Sequence, residues 1–251
     1  MIYVNSLTLD RKRFNEAELP SDGEYLRSLP IVRNLEKIEF RTPVTLFCGE
    51  NGTGKSTLIE AIAVACGFNP EGGSRNLKFS TRQSVSPLHE FIKVPHGTKR
   101  PRDGYFLRAE SFYNVATELE NLDAQPAAAP FLIDAYGGKS LHQMSHGESF
   151  FALMRNRFFG NGLYILDEPE AALSPSRVMA MISLIDELCG MDSQFIISTH
   201  SPILLAFPGA VVYELKTNGI RETPYRETEA FSTMKCFMDS PDRMIKYLTA
   251  R

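Results

Sequence analysis

Short apolar runs that end in polar residues recur along this chain, and helix-like patterns separate them. The runs at 44–48, 163–166 and 195–197 each lead into a polar stretch that a helical pattern follows. Runs of that length predict strands that are buried on both faces, as in a parallel sheet. The pattern therefore predicts an α/β protein whose ligand lies at the carboxyl ends of its strands.

Weaker patterns predict further elements around this sheet. Residues 1–9 alternate as an edge strand does, and the charged connection at 10–30 is expected to lie over the surface. Residues 35–40 fit a half-exposed strand, and residues 105–109 fit a further strand. Residues 88–94 fit a strand or a helix equally well.

The C-terminal part of the chain is predicted to contain a hairpin followed by helices. Val211–Leu215 and Gly219–Thr223 flank a turn sequence around Asn218, which favours a β-hairpin. Residues 230–248 have the periodicity of an amphipathic helix, and Pro241 is expected to break it.

Composition narrows the class of protein and leaves its partners open. The 251 residues, 43% hydrophobic and 23% charged, predict a folded domain with a sizeable core. A net charge of -3 gives no overall electrostatic case for nucleic acid, so such a contact would need a local patch or a partner. The four cysteines are widely spaced and are expected to be reduced core residues. The sequence has no signal-peptide pattern at its start and no apolar run long enough to span a bilayer, which predicts a cytoplasmic protein.

The segment between the strand at 44–48 and the helical pattern at 58–63 fits the phosphate-loop motif G-x-x-x-x-G-K-[ST]. Its residues are Gly49, Glu50, Asn51, Gly52, Thr53, Gly54, Lys55, Ser56 and Thr57. Glycines let the backbone approach a polyphosphate, its N–H groups form an anion-binding nest, and the start of the next helix adds positive charge. Lys55 is expected to reach the β- and γ-phosphates of ATP, and Ser56 to place its hydroxyl on Mg²⁺. The alternative is a glycine-rich turn that only matches the motif.

Two carboxylates and a histidine lie at the ends of later predicted strands. Asp167 and Glu168 follow the run at 163–166, and His200 ends the strand at 195–200. Near a phosphate loop, Asp167 is expected to hold Mg²⁺ and Glu168 to accept a proton from an attacking water. His200 is expected to polarise or sense the γ-phosphate. The alternatives are a solvated Asp-Glu turn and a structural histidine.

The segment Ser145-His146-Gly147-Glu148 begins a strongly helical pattern at 151–158. Ser145 and Glu148 have the spacing of a capping box, in which each side chain bonds the backbone N–H of the other residue. That structural role can coexist with a role in binding.

In their order along the chain, these motifs resemble those of the ABC-type ATPases. The resemblance runs from Walker A at 49–57 through the signature at 145–148, Walker B at 163–168 and the D-loop at 171–174 to the switch histidine, His200. The amino-acid sequences of the first and third motifs look more like those of the soluble SMC, RecF and OLD-like branch than like those of transporter subunits. Members of that branch are often described as predicted AAA-family ATPases. Between the Walker motifs the sequence has no heptad-rich coiled-coil arm, so the chain resembles a bare head domain.

This resemblance implies a P-loop NTPase fold, the ABC-type ATPase head, as a single domain over residues 1–251. The head has a mixed sheet, flanking helices and a small helical subdomain at about 110–160 that carries the signature. The resemblance also implies a head-to-tail homodimer that holds two ATP molecules, with Ser145, Gly147 and Glu148 contacting ATP in trans. The sequence departs from the common Ser-Gly-Gly-Gln signature at His146 and Glu148.

A glutamine loop is also implied, between Walker A and the signature. Glu110 follows the strand at 105–109 and is the first candidate for this metal-contacting position, and Gln83 is the alternative. Seven basic residues concentrate in the same region and form a solvated face or a surface for nucleic acid or a protein partner. They are Arg75, Lys78, Arg82, Lys93, Lys99, Arg100 and Arg102.

The expected function is Mg²⁺-dependent hydrolysis of ATP by a homodimer that couples its closure to a partner or nucleic acid, in DNA repair or defence. One alternative is the nucleotide-binding subunit of a membrane transporter. Another is a binding switch that ATP controls with little turnover. The sequence itself names no substrate beyond ATP.

Overall fold

The fold alternates strands and helices around one large sheet, as a computed structural model of residues 1–21, 23–77, 85–124 and 131–250 describes it. The strands within these residues are β1 (Ser6–Leu9), β2 (Lys37–Glu39), β3 (Val44–Gly49), β4 (Gly73–Ser74), β5 (Ile92–Lys93), β6 (Asp103–Arg108), β7 (Gly162–Asp167), β8 (Gln194–Ser198), β9 (Val211–Lys216) and β10 (Gly219–Glu222). The α-helices are α1 (Arg11–Glu16), α2 (Pro30–Asn34), α3 (Lys55–Ala65), α4 (Phe112–Asp123), α5 (His146–Arg157), α6 (Pro175–Gly190), α7 (Pro202–Leu205), α8 (Glu229–Asp239) and α9 (Pro241–Thr249).

The large sheet has seven strands in the order β10-β9-β3-β8-β7-β6-β4. The five inner strands are parallel to one another, whereas β10 and β4 run antiparallel at the two edges. The predicted α/β fold with a mixed sheet and flanking helices is therefore confirmed. Because β3, β8 and β7 are adjacent and parallel, the polar residues that follow them meet at the carboxyl ends of these strands.

Each inner strand contributes to two hydrophobic cores, one on each face of the sheet. Phe47 and Ile196 belong to the core that includes α3, whereas Leu46 and Ile197 belong to the core that includes α5 and α6. Alternate residues of a strand point to opposite faces, so a strand covered on both sides must be apolar throughout. This explains why the three apolar runs were such clear signals.

The N-terminal region corrects two sequence-based expectations. β1 is the middle strand of a second, three-stranded antiparallel sheet in the order β2-β1-β5, so it is not an edge strand. The connection at 10–30 does more than cross the surface, because it contains α1 and buries Phe14 and Leu26 in the first core. Phe14 and Leu26 are twelve positions apart in a charged segment, so they give little periodic signal although they anchor it.

The ambiguous segment at 88–94 contains both predicted kinds of structure. A 3-10 turn at Pro87–Glu90 is followed by the short strand β5. The C-terminal hairpin is confirmed as β9 and β10, and the predicted break at Pro241 separates α8 from α9.

The helical subdomain at about 110–160 stays a prediction. α4 and α5 fall within its bounds, and their side chains belong to the same core as the sheet. Phe112 of α4 and Phe150 of α5 have ring centroids 4.6 Å apart and meet in that core. Three residues of the sequence predictions lie outside the described residues: Lys78, Arg82 and Gln83.

The cysteine expectation is only half correct. Cys48 and Cys66 are buried as predicted, Cys189 is partly exposed, and Cys236 lies exposed on α8. None of the described helices has both the length and the apolar composition needed to cross a bilayer.

Candidate functional site

The turn between β3 and α3 has the backbone geometry of a phosphate loop. Gly49, Gly52 and Gly54 all have positive φ, at 141°, 80° and 97°. A Cβ on Gly49 would lie 2.2 Å from the carbonyl oxygen of Leu215, and one on Gly54 would lie 2.5 Å from Cγ2 of Ile31. Glycine is therefore required at these two positions by conformation and by space.

Lys55 is the first residue of α3, and its ammonium group lies inside the loop. The side chain is nearly buried, and Nζ donates hydrogen bonds of 2.8 Å to the carbonyl oxygens of Gly49 and Glu50. Burial lowers the pKa of Lys55, while the carboxylates of Glu168 and Asp167 act in the opposite direction. The predicted phosphate-binding lysine thus lies in the electrostatic field of the predicted carboxylates.

Asp167 ends β7 and is buried beside β8. Its Oδ1 accepts a hydrogen bond from the Ser198 hydroxyl. Burial raises the pKa of Asp167, and the Ser198 hydrogen bond, the Arg108 charge and the Ser56 hydroxyl oppose that shift. The effect of Ser56 on this pKa indicates that the two predicted Mg²⁺ ligands, Ser56 and Asp167, lie near each other. Both are oxygen donors of the kind that Mg²⁺ takes alongside substrate phosphates, so the donor set fits this ion.

Arg108 and Glu60 form an ion pair beside Asp167 that the sequence reasoning missed. Arg108 Nη1 lies 2.6 Å from Glu60 Oε2, and Arg108 Nε lies 3.7 Å from Asp167 Oδ2. The other oxygen of Glu60 accepts a 2.9 Å hydrogen bond from the backbone N–H of Ser86. The one available signal was the spacing of Glu60, which follows Ser56 by four residues and so lies on the same face of α3.

Glu168 and His200 are brought into contact at the ends of β7 and β8. Glu168 Oε1 and His200 Nε2 lie 3.1 Å apart, and both side chains are about one third exposed. Glu168 has a left-handed conformation with φ of 50°, and its backbone N–H donates a 3.1 Å hydrogen bond to the Ser198 carbonyl. That conformation is uncommon for a residue with a side chain and is concentrated at functional sites. The predicted proton acceptor and the predicted sensing histidine therefore form one unit.

The predicted signature segment starts α5 as a cap. The Glu148 carboxylate accepts hydrogen bonds from the Ser145 backbone N–H at 3.1 Å and from the Ser145 hydroxyl at 2.7 Å. These two bonds lower the pKa of Glu148, and the guanidinium of Arg177, with Nη2 at 3.6 Å, adds to the effect. A Cβ on Gly147 would lie 2.6 Å from the carbonyl oxygen of Ala172, so glycine permits the close contact of α5 with the predicted D-loop.

The described contacts of this segment do not include the other predicted site residues. Five of the predicted site residues lie at the carboxyl ends of the parallel strands, namely Lys55, Ser56, Asp167, Glu168 and His200. None of the hydrogen bonds and ion pairs described for Ser145 and Glu148 reaches the phosphate loop. A role for the signature segment at that loop stays a prediction, which requires a second copy of the chain.

Glu110 lies at the edge of the site. Its side chain is 82% exposed, and its nearest described charge is Arg108 Nη2 at 3.5 Å. Its metal role also stays a prediction, since the contact it makes is with a cation.

The described basic residues of the predicted patch have different surroundings. The Arg75 guanidinium lies 5.0 Å above the ring of Phe68, and Lys93 Nζ lies 2.8 Å from Asp10. The remaining three, Lys99, Arg100 and Arg102, are exposed.

Comparison with known proteins finds family models that match the parts of the chain containing these residues. Two protein-family models match the chain: an AAA domain over residues 24–107, and an AAA domain described as a putative AbiEii toxin of a type IV toxin–antitoxin system over residues 140–206. The first match contains the phosphate loop, and the second contains the signature segment, both carboxylates and His200.

Curated relatives include transport and repair proteins. The chain is 23% identical over 199 residues to the ribose import ATP-binding protein RbsA of Bacillus cereus, a match that covers 73% of this chain and 39% of that protein. It is 26% identical over 206 residues to the cobalt import ATP-binding protein CbiO of Salmonella typhimurium, covering 76% of this chain and 74% of that protein. A shorter match, 36% identical over 72 residues, covers 28% of this chain and 6% of the DNA repair protein RAD50 of Drosophila melanogaster. The match thus spans about two fifths of the ribose import proteins.

The fold itself has solved counterparts. CbiO1 from Clostridium perfringens, part of the ABC transporter complex cbiONQ, aligns with a TM-score of 0.52 and 16% identity. The alignment covers 99% of both chains. At this identity the likeness is one of fold alone.

Proposed function

We propose that this chain is an ABC-type ATPase, which binds ATP together with Mg²⁺ and hydrolyses the bond between the β- and γ-phosphates. One observation carries the proposal. Three groups lie together at the carboxyl ends of the parallel strands: the phosphate loop with its lysine, the Ser56–Asp167 oxygen pair and the Glu168–His200 pair. The carboxyl ends of the strands are where α/β sheets bind their ligands.

Each group has a separate task in this proposal. The backbone N–H groups of the loop and the Lys55 ammonium bind the phosphates, and Ser56 and Asp167 hold Mg²⁺. The bound ion would neutralise charge that develops on the phosphates during transfer. The Glu168 carboxylate accepts the proton of the attacking water, and His200, 3.1 Å away, orients that carboxylate and contacts the γ-phosphate.

We further propose that the working unit is a head-to-tail homodimer. The support is the family resemblance, together with the described contacts of Ser145 and Glu148, none of which involves the phosphate loop. In the dimer, the start of α5 from one copy faces the nucleotide on the other copy. Glu148 would then bring a negative charge toward the γ-phosphate, and the nearby guanidinium of Arg177 offsets that charge.

For the role of the ATPase cycle, we propose coupling to nucleic acid or a protein partner in DNA repair or defence. The support is the wording of the motifs, the short match to a DNA repair protein and the description of the second family model. A second candidate is the ATP-binding subunit of an importer. The specific observation in its favour is the cobalt import relative, whose match covers about three quarters of both proteins.

The proposed ATPase activity is tested by substituting its two central groups. Glu168→Gln should bind ATP and lose turnover by at least about a hundredfold, because positioned proton transfer contributes about 10²–10⁴-fold. Lys55→Ala should lose ATP binding in calorimetry. Glu187→Gln makes the same chemical change at an exposed position of α6 and should keep the wild-type rate. Wild-type turnover in Glu168→Gln would remove that residue from its role.

The two proposed roles give different results with different partners. If DNA is the partner, double-stranded DNA should raise the ATPase rate, and the increase should shrink as salt rises because phosphate contacts release counterions. If the chain serves an importer, the rate should not respond to DNA at any salt, and a membrane permease should co-purify with it.

A further inference from the structure

Glu170 is a carboxylate close to the site that neither the motifs nor the proposed chemistry uses. It lies in the turn that follows β7, two residues after Glu168. One of its oxygens, Oε1, accepts three hydrogen bonds from three consecutive residues of the neighbouring loop. The donors are the Thr199 hydroxyl at 2.7 Å, the His200 backbone N–H at 2.6 Å and the Ser201 backbone N–H at 3.1 Å.

These bonds hold the backbone on both sides of the His200 side chain. The imidazole itself has one described polar contact, which is Glu168 Oε1 at 3.1 Å. A single carboxylate oxygen thus accepts hydrogen bonds from His200 and from the residues before and after it. The orientation of the imidazole therefore depends on Glu170. Hydrogen bonds to an ionised acceptor are roughly twice as strong as neutral ones.

Two further contacts join the same pair of loops. The Ser198 hydroxyl donates to Asp167, and the backbone N–H of Glu168 donates to the Ser198 carbonyl oxygen at 3.1 Å. The segment from Asp167 to Glu170 is therefore bonded to the segment from Ser198 to Ser201 along its length. Glu170 provides the end of that connection nearest to the histidine.

We propose that Glu170 is a positioning residue that fixes His200 against Glu168 and so prepares this pair for its work on the γ-phosphate. The catalytic consequence rests on the proposed ATPase function, whereas the positioning of His200 does not. Glu170 touches none of the reacting groups, so its effect on turnover passes through His200.

The second oxygen of the carboxylate supports a role beyond simple fastening. Glu170 Oε2 is buried and has no hydrogen-bond partner among the described residues. A buried acceptor with no hydrogen bond from the protein reduces stability unless water or a ligand satisfies it.

A double-mutant cycle tests the effect on turnover. Glu170→Ala should lower kcat about 10- to 100-fold, with the KM for ATP changed by less than about threefold, because displacing a reacting group by about 1 Å can cost that much. Glu170→Gln keeps an acceptor in place and should retain more activity. In a His200→Ala background, Glu170→Ala should have almost no further effect. Equal losses in both backgrounds would mean that Glu170 does not act through His200, and would overturn the proposal.

A second measurement detects the positioning directly and needs no activity. The chain has five histidines, so the imidazole ¹⁵N signals form a small set, and His200→Ala identifies the signal of His200. In nucleotide-free protein, Glu170→Ala should shift that signal and leave the other four in place. An unmoved His200 signal would contradict the proposal even if turnover fell.

Asp103→Asn is the matched control for loss of a partly buried carboxylate. Asp103 lies at the start of β6, at the end of the parallel strands opposite to the site. It accepts 2.8 Å hydrogen bonds from Arg157 and Tyr164. This variant should lose stability without moving the His200 signal. If wild-type protein shows no ATP turnover, the proposed function fails and the signal shift still decides the positioning of His200.

Discussion

Asp167 illustrates how a functional residue can oppose stability. Its carboxylate is nearly buried, and burial raises its pKa despite the Ser198, Arg108 and Ser56 groups that favour the charged form. A metal ligand must be ionised, while its surroundings favour the neutral acid. The conflict is the kind expected where selection has acted on activity and has tolerated a cost in stability.

Replacing Asp167 by asparagine should therefore stabilise the protein while abolishing its activity. In buffer with EDTA and without nucleotide, Asp167→Asn should raise the free energy of unfolding by about 1 kcal/mol, or Tm by about 2–4 °C for a chain of this size. The pKa of Asp167 is higher in the folded than in the unfolded protein. The difference between the variants is therefore largest at neutral pH and shrinks as pH falls through that raised value, where wild-type Asp167 takes up a proton.

Thermal unfolding at several pH values checks this prediction. Mg²⁺ with ATP provides the control, because it should stabilise wild-type protein and leave Asp167→Asn nearly unchanged. A variant that is less stable than wild type at pH 8 would mean that the contacts of Asp167 outweigh its burial.

At the residue scale, the sequence revealed groups whose spacing is fixed by local chain geometry. Lys55 and Ser56 are set by the phosphate-loop motif, and Asp167 by the end of its strand. Arg108 was missed because its place beside Asp167 depends on the register between β6 and β7, which pairs these two residues. Glu170 was missed because its three donors lie 29 to 31 positions away in the chain.

Two helical glycines show how packing between elements decides what a side chain costs. Gly147 lies in the first turn of α5, and a Cβ there would meet the Ala172 carbonyl oxygen at 2.6 Å. Gly190 is the last residue of α6, and a Cβ there would lie within 4 Å of no described atom apart from its chain neighbours and its own helix backbone. Neither glycine has a positive φ, so the difference between them is one of space.

The same substitution should thus have opposite effects at these two positions. Gly190→Ala should stabilise the protein by about 0.4–1 kcal/mol, because alanine reduces the freedom of the unfolded chain. Gly147→Ala should destabilise it by about 1–3 kcal/mol, because α5 must move away from a backbone atom that cannot yield easily. Urea unfolding measures both. Equal stability of the two variants would show that α5 can shift freely, and the contact with the D-loop would then carry no structural weight.

At the element scale, the sequence predicted strands better than their neighbours. The apolar runs of β3, β7 and β8 were clear because both faces of these strands are covered. The position of β1 in the middle of its sheet could not be read from its alternation, since an edge strand and a central strand in a sheet with one wet face show the same period. Only its pairing with β2 and β5 settles the matter.

Considered as a whole, the molecule carries two halves of a predicted site, and the described contacts do not join them. The phosphate loop, the carboxylates and His200 lie together, while the start of α5 contacts Ala172 and Arg177 instead. The proposed dimer brings each half to the complementary half of the other copy. Its isologous symmetry gives two equal sites, each with a phosphate loop from one chain and a signature segment from the other.

This arrangement can be tested with a charge placed at Ser145. Aspartate and asparagine both cap helices about as well as serine. An aspartate would also repel the Glu148 carboxylate, which accepts the Ser145 hydroxyl at 2.7 Å, so the Tm of Ser145→Asp and Ser145→Asn is compared first to check that α5 is intact in both. Only aspartate adds a negative charge that would face the γ-phosphate across the dimer. Ser145→Asp should therefore lose ATP turnover and ATP-driven dimerisation, whereas Ser145→Asn should keep a large share of both.

Mixing two inactive variants then distinguishes action in trans from action in cis. In a heterodimer of Ser145→Asp with Glu168→Gln, one site contains both defects and the other contains neither. An equal mixture should regain about a quarter of the wild-type rate if half of the dimers are heterodimers and the sites act independently. The double variant mixed with wild-type chain places one defect in each site of the heterodimer, so those heterodimers should be inactive. If Ser145 acts on the nucleotide of its own chain, the first mixture stays inactive and the heterodimers of the second keep one working site, because both defects then affect the same site.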